Sequence, residues 1–143
     1  GGHANICSCV AYRPHRAHEL YSGGLDAVAV RWDTQGPELL ESWSFAPRLG
    51  ETPSQLLNPR HVHSLGFTPD GAALAIALGD GSIEVLDAVS GQLLGSAEAH
   101  RCAASQVLVI ASRAPSTGGA AVMMVSAGDD CEIRLWEARR TAP

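Results

Sequence analysis

The sequence predicts an all-β chain, a partial β-propeller of about 2.75 four-stranded antiparallel blades, and three observations carry that prediction. Segments 2–33, 57–87 and 99–137 each run through an apolar strand, a turn, a second strand, a Gly/Asp turn and a third, alternating strand. Asp26, Asp80 and Asp130 each stand six residues before the residue that ends the third strand, Trp32, Leu86 and Trp136. No segment sustains a 3.6-residue apolar period, which excludes a helical solenoid, whereas a repeat of roughly 40–55 residues built from short strands fits a propeller.

The strands are placed by alternation and punctuation. Inner strands fall near Ile6–Tyr12, Val62–Phe67 and Ser105–Ile110, and second strands near Glu19–Gly23, Ala72–Leu78 and Ala120–Ala127. The turns Gly23-Gly24-Leu25-Asp26, Gly79-Asp80-Gly81 and Gly128-Asp129-Asp130 follow, with glycines and acidic residues to tolerate the positive φ of tight hairpins. Third strands then run near Ala27–Trp32, Ser82–Leu86 and Cys131–Trp136, and outer strands near Leu39–Phe45 and Gln92–Ala97.

The whole chain is thus read as one propeller segment with repeats at about 2–45, 57–98 and 99–143 and insert loops at 46–56 and 112–119. The missing initiator Met and the end at Pro143 point to a piece of a longer protein, expected to be a seven-bladed ring of about 300 residues. The third blade then lacks its outer strand and exposes an edge.

Composition excludes several function classes. Net charge is −5, and Arg139-Arg140 is the longest basic cluster, so no footprint for a phosphate backbone exists and nucleic acid is not an expected ligand. Apolar runs such as 107–111 and 120–125 are strand-sized, far below the ~20 residues of a membrane helix. Cys7, Cys9, Cys102 and Cys131 lack Cys-x-x-Cys spacing and are read as reduced core thiols, which fits a cytoplasmic or nuclear location. His61-x-His63 and His15-x-x-His18 have no third and fourth ligand at suitable spacing, so no metal or cofactor is expected. No Gly-x-Ser-x-Gly elbow and no phosphate loop occurs, so no catalytic residue is assigned.

Gly2-His3, Trp32-Asp33 and the turn Phe67-Thr68-Pro69-Asp70-Gly71 resemble the WD-repeat family. The resemblance implies a buried hydrogen-bonded tetrad in each complete repeat: His3, Ser22, Asp26 and Trp32 in the first, and His100, Ser126, Asp130 and Trp136 in the third. The chemistry is consistent, because indole only donates, a hydroxyl donates and accepts, and imidazole links it to the carboxylate. The second repeat has Asn58, Ile76 and Leu86 at the His, Ser and Trp positions and keeps only Asp80, so apolar packing is expected to hold that blade.

The end of the third repeat, Trp136-Glu137-Ala138-Arg139, resembles the Trp-Asp-x-Arg box of WD-repeat receptors of cullin-4 ubiquitin ligases, with Glu137 for Asp. The resemblance implies that Trp136, Glu137 and Arg139 contact the damaged-DNA-binding adaptor of the ligase, a role suited to a five-donor guanidinium. His3-Ala4-Asn5-Ile6-Cys7-Ser8-Cys9-Val10-Ala11-Tyr12-Arg13-Pro14, Gly24-Leu25-Asp26 and Gln55-Leu56-Leu57-Asn58-Pro59 are similar to members of the family proposed as such receptors. The expected function is a non-catalytic protein-interaction scaffold, as a ligase substrate receptor or, alternatively, as a general assembly scaffold of ribosome, cilium or chromatin complexes. An enzymatic propeller would need carboxylates or histidines converging on a central channel, where the inner strands carry mostly apolar and small residues.

Overall fold

The computed structural model describes residues 2–36, 38–46, 58–113 and 120–138. Most of both insert loops, and Arg139, lie outside them.

Among the described residues, eleven strands form three antiparallel sheets in which sequence neighbours pair. The first contains β1 (Cys7–Tyr12), β2 (Glu19–Gly24), β3 (Val28–Asp33) and β4 (Glu38–Ser44). The second contains β5 (Val62–Phe67), β6 (Ala73–Leu78), β7 (Ser82–Asp87) and β8 (Leu93–Glu98). The third contains β9 (Ala104–Arg113), β10 (Ala120–Gly128) and β11 (Ile133–Ala138), with β11 unpaired on its outer side among the described residues.

Register makes the repeat physical. Cys7 faces Gly24, Val62 faces Leu78 and Ala104 faces Gly128, each partner two residues before the turn Asp. A bulge follows directly after each of these pairs. In every turn the residue after the Asp donates its N–H to the carbonyl three residues back: Ala27 to Gly24, Gly81 to Leu78, and Cys131 to Gly128. That same residue takes the positive φ, 58° at Ala27, 85° at Gly81 and 64° at Cys131. The left-handed position therefore lies one residue beyond the Asp, and in two turns a side chain occupies it. This corrects the expected strand starts at Ala27 and Cys131, since a left-handed residue leaves the pleat; β3 begins at Val28 and β11 at Ile133.

Two cores lie between the sheets. Tyr21, Phe67, Leu74, Ile76 and Leu78 anchor the first, between blades one and two, and Ala75, Ala77, Ile83 and Val107 anchor the second, between blades two and three. Polar ties cross the same seams. The Tyr21 hydroxyl donates to the Ala88 carbonyl, the Arg13 guanidinium donates to Gly71 O at 2.8 Å, and the Ser64 hydroxyl accepts from Val107 N at 3.2 Å. The outward faces of the end blades stay open: Val10 and Tyr12 on β1, and Ile133 and Leu135 on β11, are each at least 60% exposed.

The cysteines are not core residues. Cys7, Cys102 and Cys131 are exposed and only Cys9 is partly covered, its thiol pushed up by burial. The reason is position. Cys7 lies on the open face of β1, while Cys102 and Cys131 sit in the segments that open the third blade and turn into β11, where no neighbouring sheet covers them.

Candidate functional site

The chemistry-bearing side chains gather at the turns between second and third strands. In the first blade His3 Nδ1 lies 3.1 Å from both Asp26 carboxylate oxygens, His3 Nε2 lies 2.7 Å from Ser22 Oγ, and Trp32 Nε1 donates to Ser22 Oγ at 2.8 Å. The third blade repeats this: His100 Nδ1 to Asp130 at 2.9 Å, His100 Nε2 to Ser126 Oγ at 2.9 Å, and Trp136 Nε1 to Ser126 Oγ at 3.0 Å. One proton arrangement satisfies every group. Imidazole Nδ1–H donates to the carboxylate, Nε2 accepts from the serine hydroxyl, and the serine oxygen accepts from the indole.

Each turn Asp also gathers backbone donors. Asp26 accepts from Ala4 N at 2.7 Å and Val28 N at 3.2 Å, and Asp130 from Arg101 N at 3.0 Å and Glu132 N at 3.2 Å. Burial opposes ionisation at both carboxyls, but these N–H groups and the imidazole more than offset it. Both carboxyls are held low, that of Asp130 at about 2.

A signal for the tetrad lies beside its four members. A Cβ added at Gly24 would lie 2.7 Å from His3 Nδ1, and one at Gly128 would lie 2.4 Å from His100 Nδ1. Glycine two residues before the turn Asp is thus the space the imidazole needs. The middle blade has Leu78 there, in step with Asn58 replacing the His.

That middle blade is not held by apolar packing alone. Arg60 Nε lies 2.8 Å from Asp80 Oδ2, and the same guanidinium pairs with Glu84 and donates to Ser82 Oγ at 3.3 Å. Asp80 accepts from Ser82 N at 2.9 Å, as its counterparts do from their own strands. A cation two residues after Asn58 thus reaches the carboxylate that an imidazole reaches elsewhere. The readable trace is the trio Arg60, Asp80 and Glu84, whose charges must be paired if they are to sit near a core.

The tetrads place Asp, His and Ser within hydrogen-bond reach of each other, as a hydrolytic triad does. Here the hydroxyl is spent. Ser22 and Ser126 are 4% and 1% exposed, and each oxygen already accepts from an indole, so no carbonyl carbon can approach. His61 and His63 stand 6.3 Å apart between ring centroids in an edge-to-face pair, and no group of three metal-ligating side chains occurs among the described residues. Burial, then the neighbouring His61, lowers His63, and Asp129 opposes them.

Of the three residues assigned to a partner, Trp136 is committed through its N–H to Ser126 while its ring stays partly open, and Glu137 is exposed. Arg139 lies outside the described residues. No described helix is long and apolar enough to cross a membrane.

Residues 42–113, half of the chain, match the family model described as the anaphase-promoting complex subunit 4 WD40 domain. Over 121 residues the chain is 27% identical to the WD repeat-containing protein 53 homolog of Dictyostelium discoideum, covering 73% of this chain and 33% of that protein. Its fold is similar to the crystal structure of the RRP9 WD40 repeats, with a TM-score of 0.71 at 20% identity over 95% of this chain and 36% of that one. The chain spans about a third of the length of each of these two relatives.

Proposed function

Because the chain belongs to the WD-repeat family, through the family of the anaphase-promoting complex subunit 4 WD40 domain, we propose that it is part of a non-catalytic protein-interaction scaffold that serves as a substrate receptor of a cullin-4 ubiquitin ligase. The observation that carries the scaffold reading is the commitment of the tetrads: every Ser, His and Asp in them is consumed in holding turns. What remains accessible is surface, and surface binds.

The receptor reading rests on Trp136, Glu137 and Arg139, whose pattern resembles the adaptor-binding box, and on the likeness to the WD repeat-containing protein 53 homolog. Glu137 is exposed near the end of β11. We place this work in the cytoplasm or nucleus.

The test is recovery of the cullin-4 adaptor with the tagged parent protein from a eukaryotic extract, compared with Arg139→Ala. Recovery that is lost in the variant supports the receptor. Absence of the adaptor, or indifference to Arg139, sinks it and leaves the general assembly scaffold, a reading favoured by the matched family's description as a subunit of a multiprotein complex.

A further inference from the structure

The two seams between blades are built on the same register but filled differently. In the first, Tyr21 is fully buried, stacks on Trp43 at 5.8 Å between ring centroids, and meets the Phe67 ring edge-on at 4.9 Å. Around it, buried Glu19 holds Arg13 at 2.9 Å and Arg31 at 3.1 Å.

Counting from the turn aspartates gives the counterparts in the second seam. Tyr21 and Ala75 both stand five residues before their Asp, and Arg31 and Val85 five after; Glu19 corresponds to Ala73. Strand pairing matches Trp43 with Ala97, since their partners Ala29 and Ile83 each stand three residues after the turn Asp. It also matches Phe67 with Val109, because each stands five residues after the first paired residue of its inner strand. Arg13 and Thr68 likewise each stand six residues after that first paired residue. Two of three aromatic rings have become alanine methyls, and two guanidiniums with their carboxylate have become Thr68, Val85 and Ala73.

The space left is a cleft of about 160 Å³ between blades two and three. Ala75, Val85, Val109 and Met124 wall it together with the Trp136 ring, and Thr68 and Glu137 stand at its rim. An engineered apolar cavity of about 150 Å³ accepts benzene, so this volume matches one six-membered ring. The chain itself shows what shape fits, because the corresponding place in the other seam holds the Tyr21 ring. At the rim Glu137 is exposed and pairs with no cation among the described residues.

We infer that the cleft between blades two and three receives the aromatic side chain of a phenylalanine or tyrosine from a partner polypeptide, with a basic residue beside that aromatic set against Glu137. The apolar walls supply affinity by taking a ring out of water, and the rim carboxylate supplies orientation through charge. This site needs neither Arg139 nor the ligase reading.

The chain carries its own reporters, because its only two methionines are Met123 and Met124. Met124 faces the cleft, and Met123, next to it on β10, points to the opposite face of the sheet. The experiment is a titration of the ¹³C-methyl-methionine-labelled chain with acetyl-Lys-Phe-amide, acetyl-Glu-Phe-amide and acetyl-Lys-Ala-amide. The first peptide is expected to shift the Met124 methyl saturably in the millimolar range, the second to bind several-fold more weakly, and the third to leave the signal in place. Met123 should stay still throughout. Ala75→Val and Ala75→Tyr should weaken the first peptide in graded steps, tenfold or more for Tyr, while Glu137→Gln should erase the preference between the two phenylalanine peptides.

The inference is overturned if no peptide moves Met124, or if Met123 moves equally, which would be adsorption to the open strand faces. It is equally overturned if both Ala75 variants, folded by their methyl spectra, leave the shift intact, or if the Lys and Glu peptides bind alike.

Discussion

Arg60 Nε stands 2.8 Å from Asp80 Oδ2 in the middle blade, where His3 and His100 stand 3.1 and 2.9 Å from the aspartates of the outer two. The same carboxylate position is thus served by an arginine in one blade and by a histidine in the other two, and the substitution has a measurable consequence. Arg60→Ala removes the guanidinium that pairs with both Asp80 and Glu84. It should cost roughly 2–3 kcal/mol in urea denaturation, below the range for fully buried pairs because the guanidinium keeps some contact with water. Arg60→Lys should restore less than half, since a single ammonium cannot fork to both carboxylates.

Ser22 and Ser126 each serve an imidazole and an indole at once. Ser22→Ala or Ser126→Ala strands a buried His nitrogen and a Trp N–H, and each should lower stability by about 1–3 kcal/mol. The double variant should be close to additive, because the two tetrads lie in separate blades with no shared partner. A strongly sub-additive result in the same denaturation series would mean that the blades do not report independent local structure.

The positive-φ position after each turn Asp separates glycine from the other residues. Cys131 is exposed at φ 64°, so Cys131→Gly should stabilise the chain by roughly 0.5–1 kcal/mol. Gly81→Ala should do the opposite and by more. Its Cβ would lie 2.1 Å from the His100 carbonyl and 2.5 Å from that of Cys102, so the backbone opening the third blade must move. Thermal midpoints of the two variants should shift in opposite directions.

Acid should unfold the chain through specific carboxyls. Asp26, Asp130 and Glu19 titrate lower folded than free, so they contribute stability that is complete above their unfolded values and is lost as pH falls through the folded ones. At Glu19 burial resists ionisation, but the hydrogen bond from Arg13 and the charge of Arg31 outweigh it. The urea midpoint should therefore fall between pH 4.5, the ordinary value of a glutamate, and about 2, where Asp130 titrates. Asp130→Asn should flatten the lower part of that profile while lowering the midpoint at neutral pH.

Much of this was legible in the sequence, because its governing distances are short. Strand alternation, the Asp-to-Trp spacing of six and the turn glycines act within a hairpin, and period-two burial leaves them little choice of face. The all-β repeat and the partial propeller follow from them. The tetrad members were named from family resemblance, and the structure brings each set within hydrogen-bond distance.

What the tertiary structure alone decided lies between segments. The positive φ fell on Ala27 and Cys131, because the hairpin needs it at the fourth turn position whatever residue stands there. Three of the four cysteines came out exposed because exposure depends on which sheet lies alongside, and apolar neighbours in sequence do not report it. Arg60 reaches Asp80 across twenty residues, and the cleft beside Ala75 exists because Val109, Met124 and Trp136 arrive from another blade. Hydrogen bonds within a hairpin are written in local spacing; what fills the seam between two sheets depends on side chains that meet only once the chain has folded.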